Sequence, residues 1–204
     1  MIVIFDLDHT LMNSEKFKGQ LPRIFELSRQ NFQRSKEKYF IERQDFYSPI
    51  KHAEFLYDSQ EISKKQLTFI KKSLKLLAKD ANSYLFSDAD LILKNLRQRN
   101  NYLLLLSHGD RNWQRLKIKG LHIRKYFDRI IITDKKKTAA LKFLKNKKND
   151  ILIINDNALE NKEMIEFLGR GRAILIRGIH SNDIKHNHKS YSLKQATNII
   201  MNKF

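Results

Sequence analysis

Five short apolar runs, each followed by polar residues and then by a stretch with helical spacing, constrain the fold most strongly. The runs cover residues 2–5, 103–106, 129–133, 151–154 and 173–176. Continuous apolar runs of strand length indicate strands that are buried on both faces of a parallel sheet. Because strands and helices alternate along the chain, the sequence predicts an α/β fold with a doubly wound parallel sheet.

Helix signals occupy the segments between these runs and support the same architecture. Asp and Thr side chains cap helix N-termini, and glycine commonly ends a helix. The residues predicted to begin helices are Asp88, Asp110, Thr138 and Asn161, and Gly169 is predicted to end the last of these helices. A polar tail over residues 180–192 precedes a closing helix that contains Leu193, Ala196 and Ile200.

The segment between the first and second runs is too long for a simple crossover connection. Residues 14–83 show helical spacing and contain no convincing strand. Within this segment, Ser63 and Gln66 have the spacing of a capping box at the start of a helix. We therefore expect a core domain formed by residues 1–13 and 84–204, with residues 14–83 inserted as a helical subdomain.

The composition excludes several classes of protein and site. An apolar fraction of 41% over 204 residues is sufficient for one α/β domain with a smaller insertion. The absence of cysteine excludes disulfides, thiolate metal sites and thiol nucleophiles. Since no apolar run has the length of a membrane span and no secretory signal is recognisable, we expect a cytoplasmic protein without a membrane partner.

The strong positive charge raises the question of a nucleic-acid partner. The chain carries 40 basic and 22 acidic residues, which is a formal net charge of +18. Cations favour nucleic-acid binding because they displace counterions from the phosphates. The lysines are spread along the chain, however, and the wealth of Lys, Asn and Ile is typical of an AT-rich genome. A generally basic surface is therefore the favoured interpretation, and nucleic acid is the less favoured partner.

The first apolar run leads directly into two carboxylates, Asp6 and Asp8. Side chains two positions apart in extended backbone point the same way, and ligands of open α/β sheets bind beyond the carboxyl ends of strands. Neighbouring carboxylates repel each other unless a proton or cation shares the site, and Mg²⁺ prefers oxygen ligands. The pair alone does not distinguish such a site from two residues that cap a turn.

Three further groups of polar residues follow later strands. They are Ser107 and His108 after the second strand, Lys135, Lys136 and Lys137 after the third, and Asp156 and Glu160 after the fourth. A hydroxyl beside a helix N-terminus can hold a phosphate oxygen, and a lysine can neutralise a phosphate and a carboxylate together. Each group alone has an ordinary structural explanation, but their order and spacing together are much more specific than any one of them.

This order of motifs resembles the haloacid dehalogenase superfamily, and the resemblance spans the whole chain. It rests on Asp6-Leu-Asp-His-Thr10, on Ser107, on a lysine near position 137, and on Asp156 with Glu160. The stretch from Ser107 to Gln114 is similar to members with a helical cap between the first two motifs, such as phosphoglycolate phosphatases and nucleotidase-like enzymes. The resemblance implies a phosphatase that acts on a small phosphorylated metabolite or nucleotide, with residues 14–83 as its cap.

The resemblance also implies a mechanism and a cofactor. Asp6 is the expected nucleophile, which forms an aspartyl-phosphate, and Asp8 is the expected acid and base. Mg²⁺ is the expected cofactor, and its implied ligands are Asp6, the main-chain carbonyl of Asp8, and Asp156.

The implied phosphate-binding residues are Ser107, His108 and Lys137, with Ser107 and Lys137 also counted as catalytic. Lys137 is preferred to Lys135 and Lys136 because it directly precedes the predicted helix, as the family's lysine usually does. Glu160 stands where a second aspartate is usual, and we expect it to order metal-bound water. His9 replaces a glycine that is often found between the second aspartate and the threonine.

Two other functions remain open at this stage. A sugar phosphomutase would share the core motifs and differ mainly in its cap. A nucleic-acid-binding or regulatory protein on the same scaffold would account for the charge, but Asp6, Asp8 and Asp156 keep the residue types that catalysis needs. The dehalogenases proper are disfavoured because they need no leaving-group acid at the position of Asp8.

The sequence does not predict the substrate or the oligomeric state. Polar residues in the insertion that could contact a substrate are Arg43, Tyr47, Lys51 and His52. The tail histidines His180, His186 and His188 lack regular metal-ligand spacing, so we do not expect a metal site there.

Overall fold

The computed structural model describes residues 1–135, 137–178 and 190–203, with only the backbone described at position 203. Lys136, one of the three lysines considered for catalysis, lies outside the described residues. The same is true of His180, His186 and His188, and of most of the polar tail that contains them.

Five strands form one parallel sheet. They are β1 (Ile2–Phe5), β2 (Tyr102–His108), β3 (Arg129–Thr133), β4 (Ile151–Asn155) and β5 (Arg172–Leu175), in the spatial order β3-β2-β1-β4-β5. Each of the five apolar runs contributes one strand, and helices cover both sides of the sheet. The predicted α/β fold with a doubly wound parallel sheet is therefore confirmed.

Ten α-helices accompany the sheet in the described residues. They are α1 (Ser14–Lys18), α2 (Leu21–Ile24), α3 (Arg29–Arg43), α4 (Pro49–Asp58), α5 (Lys64–Lys79), α6 (Ala89–Gln98), α7 (Arg111–Lys119), α8 (Lys137–Ala140), α9 (Ala158–Leu168) and α10 (Leu193–Lys203). Short 3-10 helices cover Ala81–Tyr84, His122–Tyr126 and Lys142–Leu144. Every helix in these ranges is too short or too polar to cross a bilayer.

The described chain divides into two compact units, a sheet unit and a helical unit. The sheet unit contains residues 1–14, 85–108 and those described from 122 onward, and the helical unit contains residues 15–84 and 109–121. The helical unit thus contains residues 15–84, close to the expected insertion, and also residues 109–121 with α7, which the sequence analysis assigned to the core domain. Whether residues 14–83 act as a cap stays a prediction.

The core of the sheet unit includes β1, the central strand, and its neighbour β4. All residues of β1 and β4 are buried, as parallel strands require when helices cover both faces. On one face, Ile2 and Ile4 pack in a cluster with α9 and the segment before β4; its other buried members are Leu104, Leu106, Leu141, Leu144, Ile151, Ile153, Met164 and Leu168. This packing fixes the carboxyl ends of β1 and β4 side by side.

Three helix predictions in the sheet unit need correction. The helix expected to begin at Asn161 begins earlier, since α9 starts at Ala158 and Asn157 is its N-cap. The helix expected to start at Thr138 and to continue through Leu144 is instead the short α8, which ends at Ala140, followed by a 3-10 helix. Burial of Leu141 and Leu144 requires only these short turns, and the following residues to Asp150 are polar and exposed. Asp88 lies at the N-cap position of α6, but its backbone is already helical and its side chain makes no capping hydrogen bond.

The helical unit confirms two other predicted caps. Ser63 and Gln66 form the capping box of α5, and the Asp110 side chain accepts a hydrogen bond of 2.9 Å from the Trp113 N–H at the start of α7. Gly120 ends α7 where the chain approaches α5 closely, since a Cβ at this position would come 2.1 Å from the Ala78 carbonyl oxygen.

An aromatic cluster forms the centre of the helical unit around His52, which is fully buried. The ring of His52 stacks on the ring of Phe25, with their centroids 4.9 Å apart. Its two nitrogens form hydrogen bonds with the hydroxyls of Ser35, at 2.6 Å, and Tyr47, at 3.1 Å. Tyr47 and His52, which the sequence suggested as substrate contacts, are therefore bonded to each other inside this unit.

Candidate active site

The nucleophile predicted from the sequence, Asp6, lies at the carboxyl end of β1 in contact with Lys137. The two side chains are buried, and the Lys137 Nζ donates a hydrogen bond of 2.7 Å to the Asp6 Oδ1. Lys137 is the first residue of α8, whereas Lys135 is exposed. Of the two described lysines in this segment, only Lys137 therefore reaches Asp6.

Asp8 is oriented by a residue that the sequence analysis did not single out. The Ser14 Oγ donates a hydrogen bond of 2.5 Å to the Asp8 Oδ1, and the same Oγ accepts one of 3.3 Å from the His9 N–H. Ser14 is completely buried, and Asp8 is half-buried. His9 has a φ of 60°, the left-handed region in which glycine is most comfortable and histidine is tolerated.

The carboxyl end of β4 is joined directly to the Asp6 loop. β1 and β4 pair in parallel with Phe5 opposite Ile154, so the residues that follow them lie at the same edge of the sheet. The buried Thr10 Oγ1 accepts a hydrogen bond of 3.0 Å from the Asp156 N–H. The loop that carries Asp6 and Asp8 is thereby connected to the loop that carries Asp156.

Glu160 lies in the first turn of α9 and turns back toward the same lysine. Its Oε2 accepts hydrogen bonds from the Lys137 Nζ at 2.7 Å and from the Asn155 Nδ2 at 3.1 Å. Asn157 caps α9 through the Glu160 N–H, which positions the side chain of Glu160 at the helix start. In this structure Glu160 contacts Lys137 directly, and its predicted role toward metal-bound water stays untested.

Ser107 and His108 form the end of β2. The Ser107 Oγ is buried and has no hydrogen-bond partner among the described residues. A buried hydroxyl without a partner costs free energy unless a water or ligand bonds to it. The His108 side chain is 30% exposed, and its Nδ1 lies 3.9 Å from the Glu160 Oε1.

These residues, ordered along the chain and gathered at one edge of the sheet, invite comparison with known proteins. Residues 3–164 match the family of haloacid dehalogenase-like hydrolases. The chain belongs to this family. No curated protein sequence matches the chain significantly.

Solved structures show the same fold at low sequence identity. A haloacid dehalogenase-like hydrolase from Burkholderia xenovorans LB400 is 18% identical, with 98% of this chain and 96% of that chain covered and a TM-score of 0.79. The HAD-hydrolase YfnB from Bacillus subtilis, solved with magnesium, is 15% identical, with 98% and 97% covered and a TM-score of 0.65. A protein from Thermotoga maritima described as a β-phosphoglucomutase is 14% identical, with both chains fully covered and a TM-score of 0.66.

In the site of this haloacid dehalogenase-like hydrolase, burial and charge pairing compete to set the pKa values. Burial raises the pKa of Asp6 to about 7, against the lowering effect of Lys137. Burial also disfavours the charged form of Lys137, but Asp6 and Glu160 outweigh it and raise the pKa of the lysine. For Glu160 the burial effect is outweighed by Lys137, so the pKa of Glu160 is lowered.

The donor set fits the divalent cation that the family resemblance implies. Four carboxylates, those of Asp6, Asp8, Asp156 and Glu160, follow β1 and β4, and one buried ammonium, that of Lys137, faces two of them. A further cation would relieve the remaining repulsion, and Mg²⁺ prefers such oxygen donors. Across the described residues, no three His or acidic side chains converge as a ready-made metal site. The implied set uses only two carboxylate side chains, together with a main-chain carbonyl.

A cavity of about 170 Å³ opens beside the reactive groups of the sheet unit. Its lining includes His108, Lys137 and Glu160. Lys137 and Glu160, which bond to each other, thus also border a space that a small ligand group could enter.

Sequence reasoning missed three residues that hold the site together: Ser14, Thr10 as a partner of Asp156, and Asn155 as a partner of Glu160. Thr10 and Asn155 could have been suspected, since each lies in a recognised motif. Nothing in the sequence distinguishes Ser14 from an ordinary helix N-terminal serine.

Proposed function

We propose that this hydrolase is a Mg²⁺-dependent phosphomonoester phosphatase that forms an aspartyl-phosphate on Asp6. The observation that carries the proposal is the pair of differently held carboxylates: Asp6 is bonded to the buried Lys137, and Asp8 is bonded to Ser14. Two carboxylates in different surroundings can serve as nucleophile and as acid/base, respectively.

In the first step, an Asp6 oxygen forms a bond to phosphorus while the ester P–O bond breaks. Asp8 gives its proton to the departing oxygen, and an alcohol leaves. In the second step, water attacks phosphorus, Asp8 takes a proton from that water, and the bond between Asp6 and phosphorus breaks. The products are an alcohol and inorganic phosphate, and both carboxylates return to their starting state.

Two further groups would stabilise the transferring phosphoryl group. The Lys137 ammonium faces the nucleophile and can neutralise charge on the equatorial oxygens, and the Ser107 hydroxyl can donate to one of them. When bound by Asp6, the Asp8 carbonyl and Asp156, Mg²⁺ would supply further positive charge at the phosphate.

A phosphomutase is the second candidate, because a β-phosphoglucomutase is among the similar structures. Its first step would be the same, but the phosphoryl group on Asp6 would return to a sugar hydroxyl instead of water. Dehalogenases also share the fold. They are disfavoured because their chemistry gives no role to the acid/base Asp8.

The test is turnover of an aryl phosphate with and without Mg²⁺, for the wild type and for Asp6→Asn. Asp88→Asn is a matched control, since Asp88 is a half-buried aspartate whose side chain makes no capping hydrogen bond. We expect metal-dependent release of inorganic phosphate that Asp6→Asn abolishes and Asp88→Asn leaves unchanged.

The intermediate can be detected in the Asp8→Asn variant. An aryl phosphate has a good leaving group, so the first step needs no acid, whereas the second step still needs the base. Mass spectrometry of acid-quenched protein should therefore find phosphate on Asp6. Isomerisation of a sugar phosphate without phosphate release would favour the mutase, and chloride release from a 2-haloacid would refute both.

A further inference from the structure

The exposed face of α5 carries a regular stripe of lysines and large apolar residues. Its members, called here the α5 stripe, are Lys65, Phe69, Lys72, Leu76 and Lys79. Steps of four and three residues place side chains in one line along a helix, and at about 1.5 Å per residue the stripe is roughly 21 Å long. All five residues are exposed, including Phe69 at 50% and Leu76 at 58%.

The exposed apolar residues are not needed for the packing of α5. The helix buries its opposite side through Ile70, Leu74, Leu77 and Ala78. Phe69 and Leu76 therefore add apolar surface that the helical unit itself does not use. They border a groove of about 410 Å³ between α2 and α5, whose lining also includes Ile24 and Leu77.

The charge on this face is almost entirely positive. α5 contains six lysines and no acidic residue. Within the described part of the chain, only Lys71 among them forms an ion pair, with Glu54 at 2.6 Å, and Lys71 is not in the stripe. Arg23 adds a cation to the groove, and Asp80 is the one acidic residue in its lining.

We propose that the α5 stripe binds the surface of an anionic lipid bilayer. Phe69 and Leu76 would insert between the headgroups, and Lys65, Lys72 and Lys79 would lie over the lipid phosphates and carboxylates. Lysines that flank apolar side chains keep their ammonium groups at the interface while their stems lie along apolar surface. Each lysine near an anionic leaflet adds electrostatic attraction to the lipids. Salt limits the range of this attraction to about 10 Å at 0.1 M ionic strength.

A nucleic acid fits these residues less well. Phosphate contacts would use the lysines, and Phe69 could stack on a base, but the stripe contains no planar hydrogen-bonding side chain for bases or bidentate phosphate contacts. An exposed Leu76 gains nothing on a polyanion, whereas it gains burial in a bilayer interface. The expectation of no membrane partner rested on the absence of apolar runs long enough to span a bilayer. Binding of the stripe to a bilayer surface needs no such run.

The test is co-sedimentation of the full chain with vesicles of phosphatidylcholine alone or of phosphatidylcholine with phosphatidylserine. Three variants are compared: Phe69→Ser/Leu76→Ser, Lys65→Gln/Lys72→Gln/Lys79→Gln, and the control Lys142→Gln/Lys147→Gln/Lys148→Gln. The control removes the same charge from exposed positions of the sheet unit. Phosphatase activity and circular dichroism report that each variant remains folded.

We expect binding to the anionic vesicles only, weakened by salt, and reduced roughly tenfold or more by either α5 variant but not by the control. Equal binding by Phe69→Ser/Leu76→Ser would overturn the proposal, because charge alone would then suffice. If the control variant lost as much vesicle binding as the α5 lysine variant, the proposal would be overturned, because binding would then depend on net charge and not on the stripe. Stripe-dependent binding of a single-stranded RNA without vesicle binding would overturn it in favour of a nucleic acid.

Discussion

The Lys137 Nζ lies 2.7 Å from the Asp6 Oδ1 and 2.7 Å from the Glu160 Oε2, so one buried ammonium is shared by two carboxylates. Asp6 follows β1, and Glu160 belongs to α9. Because a buried charge is tolerated only when it is paired, this lysine both neutralises the site and holds its carboxylates at fixed positions.

Replacement of Lys137 by methionine should remove most of the activity. The variant keeps much of the side-chain volume but loses the charge that, in the proposed mechanism, faces the transferring phosphoryl group. Such losses typically cost about 10²–10³ in kcat. Lys135→Met is the matched control, since Lys135 is exposed two positions earlier. Steady-state kinetics on an aryl phosphate measure both. A larger loss in Lys135→Met would show that the wrong lysine has been assigned.

Ser14→Ala should weaken the acid/base function of Asp8 selectively. The variant loses the 2.5 Å hydrogen bond that orients Asp8. Turnover should slow most for substrates whose leaving group needs protonation. We therefore expect kcat to fall roughly tenfold or more for an alkyl phosphate and less for an aryl phosphate. The ratio of the two rates is the readout. A uniform loss for both substrates would indicate a structural role for Ser14 alone.

The sequence was sufficient to predict the sheet because each strand contains a short continuous apolar run. Segments such as Ile2–Phe5 and Ile151–Asn155 are buried at every residue, as strands covered on both faces of a parallel sheet must be. The length of α8 could not be predicted, because Leu141 and Leu144 have helical spacing, yet a 3-10 turn buries them equally well. Local spacing does not distinguish these two outcomes.

The same limit applies to the site. Positions at strand ends can be read from the sequence, so Asp6, Ser107 and Asp156 were all named from it. Which side chains bond to them depends on how loops meet in three dimensions. The Thr10 contact with Asp156 joins residues 146 positions apart, and no local pattern encodes it.

Thr10→Val should weaken metal binding at Asp156. The substitution keeps the shape of the side chain but removes the Oγ1 that accepts from the buried Asp156 N–H at 3.0 Å. Residues that orient a metal ligand typically change metal affinity by about 10–100-fold. We expect the Mg²⁺ concentration for half-maximal activity to rise in Thr10→Val and to stay near the wild-type value in Thr10→Ser, which retains the hydroxyl. Equal values for the two variants would contradict this role.

The stability of the helical unit should depend on pH through His52. Burial lowers the pKa of His52 to about 4, whereas an exposed histidine in the unfolded chain titrates near 6.5. Between these values the unfolded state binds a proton that the folded state does not, so stability falls as the pH falls, by about 1.4 kcal/mol per pH unit. The contribution is fully present above pH 6.5.

Urea unfolding between pH 5 and 6.5 measures this effect, with His52→Gln as the reference. Asp6 acts in the opposite direction over the same range, because its raised pKa makes the folded state bind more protons. The difference between wild type and variant therefore isolates His52. Parallel stability curves for the two proteins would contradict the assignment.

Gly120→Ala should destabilise the helical unit strongly, although the substitution adds only one methyl group. The backbone at Gly120 is in the ordinary helical region, so the cost does not come from its φ angle. A Cβ there would lie 2.1 Å from the Ala78 carbonyl oxygen, and a backbone atom cannot swing aside as a side chain can. The end of α7 must then move away from α5, at a cost of about 3 kcal/mol.

Gly169→Ala provides the contrast for this prediction. Gly169 has a φ of 66° at the end of α9, but a Cβ there would meet no atom within 4 Å. The loss of stability in Gly169→Ala comes only from the strained backbone conformation and should be about 1 kcal/mol. Urea unfolding of both variants compares the two costs. A larger loss for Gly169→Ala would mean that α5 and α7 have room to separate, and that their close approach contributes little to the stability of the helical unit.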